Sequence, residues 1–456
     1  MRYAPPITPA TVKSLVRTGH PEEAALALAE LESGPDPRGT VRSLRDWASC
    51  WYPGLLGPSR DACASPPPIC EGLDALRELM STGAGDEAVA RAERVLGDCP
   101  MGSGALEPLL ASLATLVYAD RADRAARWCE PLLEQTTAHC DPVWLGAFAA
   151  IRAESAFRQG DLPAAVEAVR TALTHISWQS WGVAIGIPFA IMISAKAVMG
   201  KNEDALRYLA VPVPPTMFET PAGLHYLAAR GYFRLAAGDA ESAFAEFLEC
   251  GERMRRWEVD LPGLAAWRIG AGRAALELGR RREALALAEE QLDRLDRLGA
   301  GRTRTRGLAL RLQAEAGTPR RRGALLEEAA AVLEEAGDRL ELAGTLSALG
   351  KARDAGGDRA RALAAGARAR AIAASCGLPS DPGQGEEVPA GAHGVSRASV
   401  VLSEAELKVA TLAAQGLSNR QISSRLYVTV STVEQHLTRI YRKLGVSRRL
   451  DLAEFL

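Results

Sequence analysis

Along most of the chain, an Ala/Leu-rich stretch with helical spacing ends in a Gly-centred polar turn, and a second such stretch follows. The turns are Gly160-Asp161, Gly200-Lys201-Asn202-Glu203, Gly238-Asp239, Gly279-Arg280, Gly317-Thr318 and Gly357-Asp358, spaced 40, 38, 41, 38 and 40 residues apart. Backwards, Asp120 lies 40 residues before Gly160, and Gly85-Asp86 lies 35 before that. The flanks repeat as well: AESAFRQGDLPAAVEAVRTAL at 153–173, GYFRLAAGDAESAFAEFLEC at 231–250 and GRAALELGRRREALALAEEQL at 272–292. Gly after an apolar-periodic helix suits a left-handed C-terminal cap, and the Asp beside it suits the N-cap of the next helix. Ala on both flanks lets antiparallel helices approach closely. One hairpin cannot bury its own apolar stripe, so the hairpins must stack.

These units resemble tetratricopeptide-type hairpins, with a period nearer 40 than the usual ~34 and without most of the aromatic and Pro signature. The predicted fold class is all-α: a TPR-like helical-hairpin solenoid over 71–376, followed by a four-helix terminal domain over 399–456. Residues 1–70 should hold a partial repeat around Gly19-His20-Pro21 and an irregular segment interrupted by Pro53, Pro58 and Pro66-Pro67-Pro68. The Gly/Pro/Ser-rich stretch 377–398 reads as a flexible linker.

Composition agrees with a helical chain, since aromatics make up only 5% and strand-favouring residues are sparse. Eight cysteines without a CxxC pair imply neither a disulfide framework nor a zinc site. His139-Cys140 beside Cys129 is the nearest approach to a ligand cluster, and helix packing explains it better. The N-terminal MRYAPPITPATVKSL has no apolar core of a signal peptide. The longest uncharged run, Ile176 to Ala195, contains Gln179, Gly182, Gly186 and Pro188 and is expected to be a buried helix pair. The expected setting is cytoplasmic. No catalytic constellation is legible, so no enzyme, cofactor or metal is expected.

Net charge is −2 overall but uneven. From Ser396 onward nine basic and five acidic residues give +4, which makes this tail the nucleic-acid candidate. Ser403-Glu404-Ala405-Glu406 is a capping box for a first helix ending near Gly416, and Ser418-Asn419-Arg420-Gln421 is a second. Thr429 can cap a third helix from Val430 to Leu444, and Ser447 a fourth. The tight turn Tyr427–Thr429 makes the second and third helices a helix-turn-helix. Val433, Leu437, Ile440 and Leu444 form the apolar stripe of the third helix. Ser431, Glu434, Gln435, Thr438, Arg439 and Arg442 lie opposite. Gln can pair with adenine, Glu can accept from cytosine, and Arg or Lys can neutralise phosphates.

The tail closely resembles the LuxR-type DNA-binding domain, at Leu402, Glu406, Val409, Gly416, Ser418-Asn419, Ile422, Leu426, Thr432-Val433, His436, Ile440, Lys443-Leu444 and Val446. It departs at Ala405, where Arg is common, and at Ser423, where Ala is common; neither is on the reading face. Together the motif and the resemblance nominate Ser418, Asn419, Ser431, Thr432, Glu434, Gln435, His436, Thr438, Arg439, Arg442 and Lys443 as DNA-binding residues. The resemblance also implies double-stranded DNA as partner and a homodimer on DNA through the fourth helix, Arg448 to Phe455. The repeats resemble those of the large MalT-like regulators, but no G-x-x-x-x-G-K-[ST] nucleotide loop occurs. The chain is therefore either a short relative without the ATP-binding domain or the C-terminal portion of a larger one.

The expected function is a sequence-specific transcriptional regulator whose repeats bind a protein, peptide or small-molecule effector on their concave face. The alternative is a helical-repeat scaffold whose terminal bundle does not bind DNA. Arg280-Arg281-Arg282 and Arg320-Arg321-Arg322 are expected to be solvated turns, and Trp178, Trp181, Trp257 and Trp267 to be core.

Overall fold

The computed structural model describes residues 7–34, 40–56, 68–83, 85–102, 104–139, 141–378, 409–410, 412–413, 418–426 and 429–444. Every regular element among them is helical. The chain forms two compact units: Met1–Asn202 with Val213–Asp381, and Glu203–Pro212 with Pro382–Leu456.

In the first unit, α1 (Pro9–Thr18), α2 (Pro21–Glu32) and α3 (Thr40–Trp51) precede α4 (Pro68–Thr82) and α5 (Gly85–Asp98). Next come α6 (Leu106–Tyr118), α7 (Ala122–His139), α8 (Pro142–Arg158), α9 (Leu162–His175) and α10 (Gly186–Val198). After α11 (Asn202–Leu209), whose residues from Glu203 onward belong to the second unit, follow α12 (Pro221–Ala236), α13 (Ala240–Arg256), α14 (Trp267–Glu277) and α15 (Arg281–Arg297). The repeats continue with α16 (Arg304–Ala316), α17 (Pro319–Glu335), α18 (Arg339–Ala355) and α19 (Arg359–Ser375).

The expected turn chemistry is visible in detail. Asp161, Asp239 and Asp358 each accept the amide of the residue three positions on, at 3.1–3.2 Å, and Asp338, at a turn the spacing does not mark, does the same at 3.0 Å. Gly160 has φ +77°, and a Cβ there would lie 2.5 Å from the amide nitrogen of Leu340, so no other residue fits without movement. Asp120 takes the same left-handed conformation, at φ 60°, without being glycine. The turn at Gly317 differs: its φ is −79°, because Pro319 starts α17 from an extended approach.

The uncharged run becomes a 3-10 turn, Gly182–Ile185, followed by the largely buried α10. No helix of the described residues is long and apolar enough to cross a membrane. Trp181, Trp257 and Trp267 are buried, and Trp178 is half-buried. The Cys129 thiol donates to the Phe148 carbonyl at 3.3 Å, and no metal-binding cluster occurs among the described residues. The arginine turns are exposed apart from half-buried Arg322, and they also cap neighbouring helices: Arg281 donates to the Glu315 carbonyl at 2.7 Å and Arg322 to that of Ala314 at 3.2 Å.

Stacking is only half of what holds this unit together. Helices α1–α4 share one core with α12 and α13, through Val12, Leu28, Tyr52, Leu224, Trp257 and Trp267. The inner ends of distant hairpins also meet. The backbone of Gly263 approaches Tyr118 so closely that a Cβ would lie 2.0 Å from its carbonyl oxygen. Arg158 donates through Nη1 to the carbonyls of Val117 (2.9 Å) and Gly263 (2.8 Å), and through Nε to Glu154 (2.7 Å). Asp120 accepts from both the amide (2.9 Å) and the hydroxyl (2.6 Å) of Thr305. That pairing holds Asp120 in a backbone conformation that would otherwise be strained.

A second cluster lies one layer on. Glu341 receives both terminal nitrogens of Arg273, at 3.1 and 2.6 Å, and Arg311 at 2.9 Å. Arg304 donates Nε to Asp338 at 2.7 Å. Burial works against ionisation of Glu341, but the Arg273 and Arg311 guanidiniums prevail and hold its carboxyl down at about 2. Burial and the adjacent Glu341 push Asp338 the other way, upward.

The two carboxyls have opposite linkage. Glu341, depressed when folded, contributes stability above its unfolded value of about 4.3 and loses it as pH falls toward 2. Asp338, raised when folded, favours the fold at low pH and loses that contribution as pH rises through its folded value, which partly offsets the first. In thermal melts between about pH 5 and 2, acidification is therefore expected to destabilise the wild type more than Glu341→Gln. Parallel curves would remove Glu341 as an acid-labile contact.

Candidate DNA-reading site

In the second unit, α20 (Asn419–Leu426) and α21 (Val430–Leu444) are the second and third helices expected from the sequence. The expected first helix is described only at 409–410 and 412–413, where Val409, Ala410 and Ala413 are buried. Its capping box at Ser403, the fourth helix, and the linker from 379 onward lie outside the described residues.

Local chemistry explains both helix starts. The Ser418 amide and hydroxyl donate to Gln421 Oε1 at 2.8 and 2.9 Å, and the Gln421 amide donates back to Ser418 Oγ at 3.4 Å. This is the reciprocal arrangement of a capping box. The Thr432 amide donates to Thr429 Oγ1 at 3.2 Å, and the two threonine hydroxyls lie 2.8 Å apart. Both caps satisfy N-terminal amides that water would otherwise have to serve.

Ile422, Val433, Leu437 and Ile440 are buried, so α21 packs on one side only. At about 100° per residue, Ser431, Glu434, Gln435, Thr438, Arg439 and Arg442 share an arc of about 140° centred opposite that stripe. Glu434, Gln435, Thr438 and Arg439 are exposed. The side chains of Ser431, Arg442 and Lys443 lie outside the described residues, although α21 carries their backbones. Of the remaining nominated residues, Thr432 and His436 flank the arc on α21, and Ser418 and Asn419 lie at the start of α20. Ser418 is exposed but engaged as a cap, while Asn419 and Thr432 are half-buried. His436 is half-buried, and its Nδ1 is enclosed with no partner among the described residues.

One detail was not legible in the spacing. Thr438 donates its hydroxyl to the Glu434 carbonyl at 2.9 Å, so it can offer a partner only lone pairs and a methyl group. Beside it, Gln435 offers both a donor and an acceptor, Glu434 an acceptor, and Arg439 a charged fork. A ridge of this composition on a helix packed from behind suits the major groove of DNA.

Residues 400–456 match the family model for bacterial regulatory proteins of the luxR family. The LuxR-type segment is 42% identical over 55 residues to the oxygen regulatory protein NreC of Staphylococcus aureus, in strains JH9 and JH1 alike. That alignment covers 12% of this chain and 25% of the relative, so the chain spans about a quarter of the length of the curated relatives it matches. Three solved structures are similar to this chain. A Rap protein complexed with competence and sporulation factor shares 12% identity (TM-score 0.47; 86% of this chain, 100% of that one). Human IFIT1 in a dimer with PPP-AAAA shares 16% (0.34; 80% and 89%). The TPR domain of P58(IPK) also shares 16% (0.19; 80% and 96%). The protein carries TPR-like helical repeats and, over residues 400–456, a segment that matches the luxR-family model.

Proposed function

We propose that the chain is a sequence-specific transcriptional regulator that reads double-stranded DNA with α21 and binds an effector or partner through its helical repeats. The carrying observation is the exposed arc of Glu434, Gln435, Thr438 and Arg439 opposite buried Val433, Leu437 and Ile440. Gln435 and Thr438, with Glu434, read base edges. Arg439, Arg442 and Lys443 neutralise phosphates, and Ser418, Asn419, Ser431, Thr432 and His436 support the backbone contact. The protein acts in the cytoplasm, as a regulator without chemistry of its own.

A single reading helix buries too little surface for high selectivity, so two copies act on a palindromic or repeated site. Their contact runs through Arg448–Phe455, the segment the LuxR-type resemblance implies. Binding-site selection on randomised duplexes with the full chain tests the whole reading. The expected result is a logo with two related half-sites, and binding that weakens by at least about tenfold when one half-site is scrambled. Recovery of no preferred sequence would return the chain to the class of helical-repeat scaffolds.

A further inference from the structure

Helices α10 and α12 pack against each other in the repeat unit, and one face of each borders the inner polar cluster. On α10 the bordering positions are Ala190, Ile191, Ser194, Ala197 and Val198, and on α12 they are His225, Ala228, Ala229, Tyr232 and Ala236. Both sets follow helical spacing. Alanine at half of these positions leaves a cavity of about 230 Å³. Its charged wall is complete. Glu154 takes Nε of Arg158 at 2.7 Å, Glu341 takes both terminal nitrogens of Arg273, and Asp338 takes Nε of Arg304 at 2.7 Å. All six line the cavity, so three carboxyls face three guanidiniums. His225 adds no charge, because burial lowers its pKa, and its Nε2 meets the Tyr118 hydroxyl at 3.2 Å. The uncharged wall is not complete. Ser194 is only 7% exposed, yet its hydroxyl makes no hydrogen bond among the described residues and is not sealed within the packing, so it opens onto the cavity it lines. The Tyr232 hydroxyl, half-buried on the facing helix, likewise makes no hydrogen bond among the described residues.

We propose that this cavity binds a small uncharged molecule with a compact apolar body and one hydroxyl or carboxamide group, its polar group served by the hydroxyls of Ser194 and Tyr232 and its body against Phe157, Ile191 and Leu308. The size fits: a cavity of ~150 Å³ accepts benzene, so 230 Å³ accepts one ring or a short branched chain with a polar group attached. Charge decides the class. An ion would give up its water for a wall whose carboxyls and guanidiniums are already matched, so nothing would offset its desolvation. A neutral hydroxyl or amide loses far less, and it regains a bond from side-chain hydroxyls that can either donate or accept. Because the cavity exists only while α10 and α12 are packed, occupancy stabilises the folded repeats.

This inference rests on the reading of the repeats as an effector-binding region. Its test is titration calorimetry and thermal melting of the full chain with benzamide, benzyl alcohol and 3-methylbutanamide, against their charged counterparts benzoate, benzylammonium and 3-methylbutanoate. Saturable binding of at least one neutral probe and a raised melting temperature are expected, with the charged counterpart at least about tenfold weaker. Ser194→Ala and Tyr232→Phe each remove one hydroxyl and nothing else, and at least one of them should weaken the neutral probe by about threefold or more. Ala228→Phe, which fills the cavity from the α12 wall and leaves every ion pair in place, should abolish binding. Melting of the unliganded variants checks that each is folded. Absence of saturable binding by every neutral probe, equal binding of the charged counterparts, undiminished binding to both hydroxyl variants, or undiminished binding to Ala228→Phe would each overturn the proposal. A gel shift on the selected DNA site, run on the same samples, shows separately whether the DNA-reading function stands.

Discussion

Arg158→Met will destabilise the helical-repeat unit by about 3–5 kcal/mol, the usual cost of removing one partner from a buried charged network. The substitution keeps most of the aliphatic packing, so the loss isolates the guanidinium. What remains is Glu154 without its 2.7 Å donor, and the carbonyls of Val117 and Gly263 facing each other with nothing to bridge them. Glu154 shows how strongly the pair is coupled: burial alone would raise its pKa, and Arg158 with His225 brings it below the ordinary value. Chemical denaturation followed by far-UV circular dichroism gives the measurement. A loss under about 1 kcal/mol would mean that water serves these groups as well as Arg158 does.

The second large effect concerns recognition. Gln435→Ala is expected to cost about 1–3 kcal/mol on the best DNA site and to relax preference at one or two positions, because a bidentate amide–base pair is lost. Arg439→Ala should instead weaken all sequences about equally and flatten the dependence of affinity on salt, since a phosphate contact releases a counterion whatever the base. Both side chains are exposed on α21 and neither supports its packing, so folding should be unaffected. An unchanged selection logo for Gln435→Ala would show that another face of α21 does the reading.

How far these features could be read from the sequence depends on how local their causes are. The α20 and α21 boundaries follow from Ser418–Gln421 and Thr429–Thr432, pairs three residues apart, and were legible at once. The same holds for Asp161, Asp239 and Asp358 beside their glycines. Helix α3 was hidden because the prolines beginning at Pro53 marked the region as irregular, while the helix ends just before them at Trp51. Arg158, inside AESAFRQGD, carries no signal that sets it apart from other polar residues of the repeats. Its partners Val117 and Gly263 lie 41 and 105 positions away, and no periodicity in the chain connects them. In the reading helix, spacing gave the arc but not the hydroxyl of Thr438 turned onto Glu434, a rotamer choice made by the backbone.

The bond between Asp120 and Thr305 joins positions 185 residues apart. A ribosome adding about 5–20 residues per second needs roughly 10–40 seconds to travel that distance. For that time, Asp120 lacks the Thr305 bonds that hold its left-handed turn, and Tyr118 lacks the close approach of Gly263. The early hairpins can form as they emerge, but they cannot finish. The protein's most vulnerable moment is thus set by its own winding, and it falls in the middle of its synthesis.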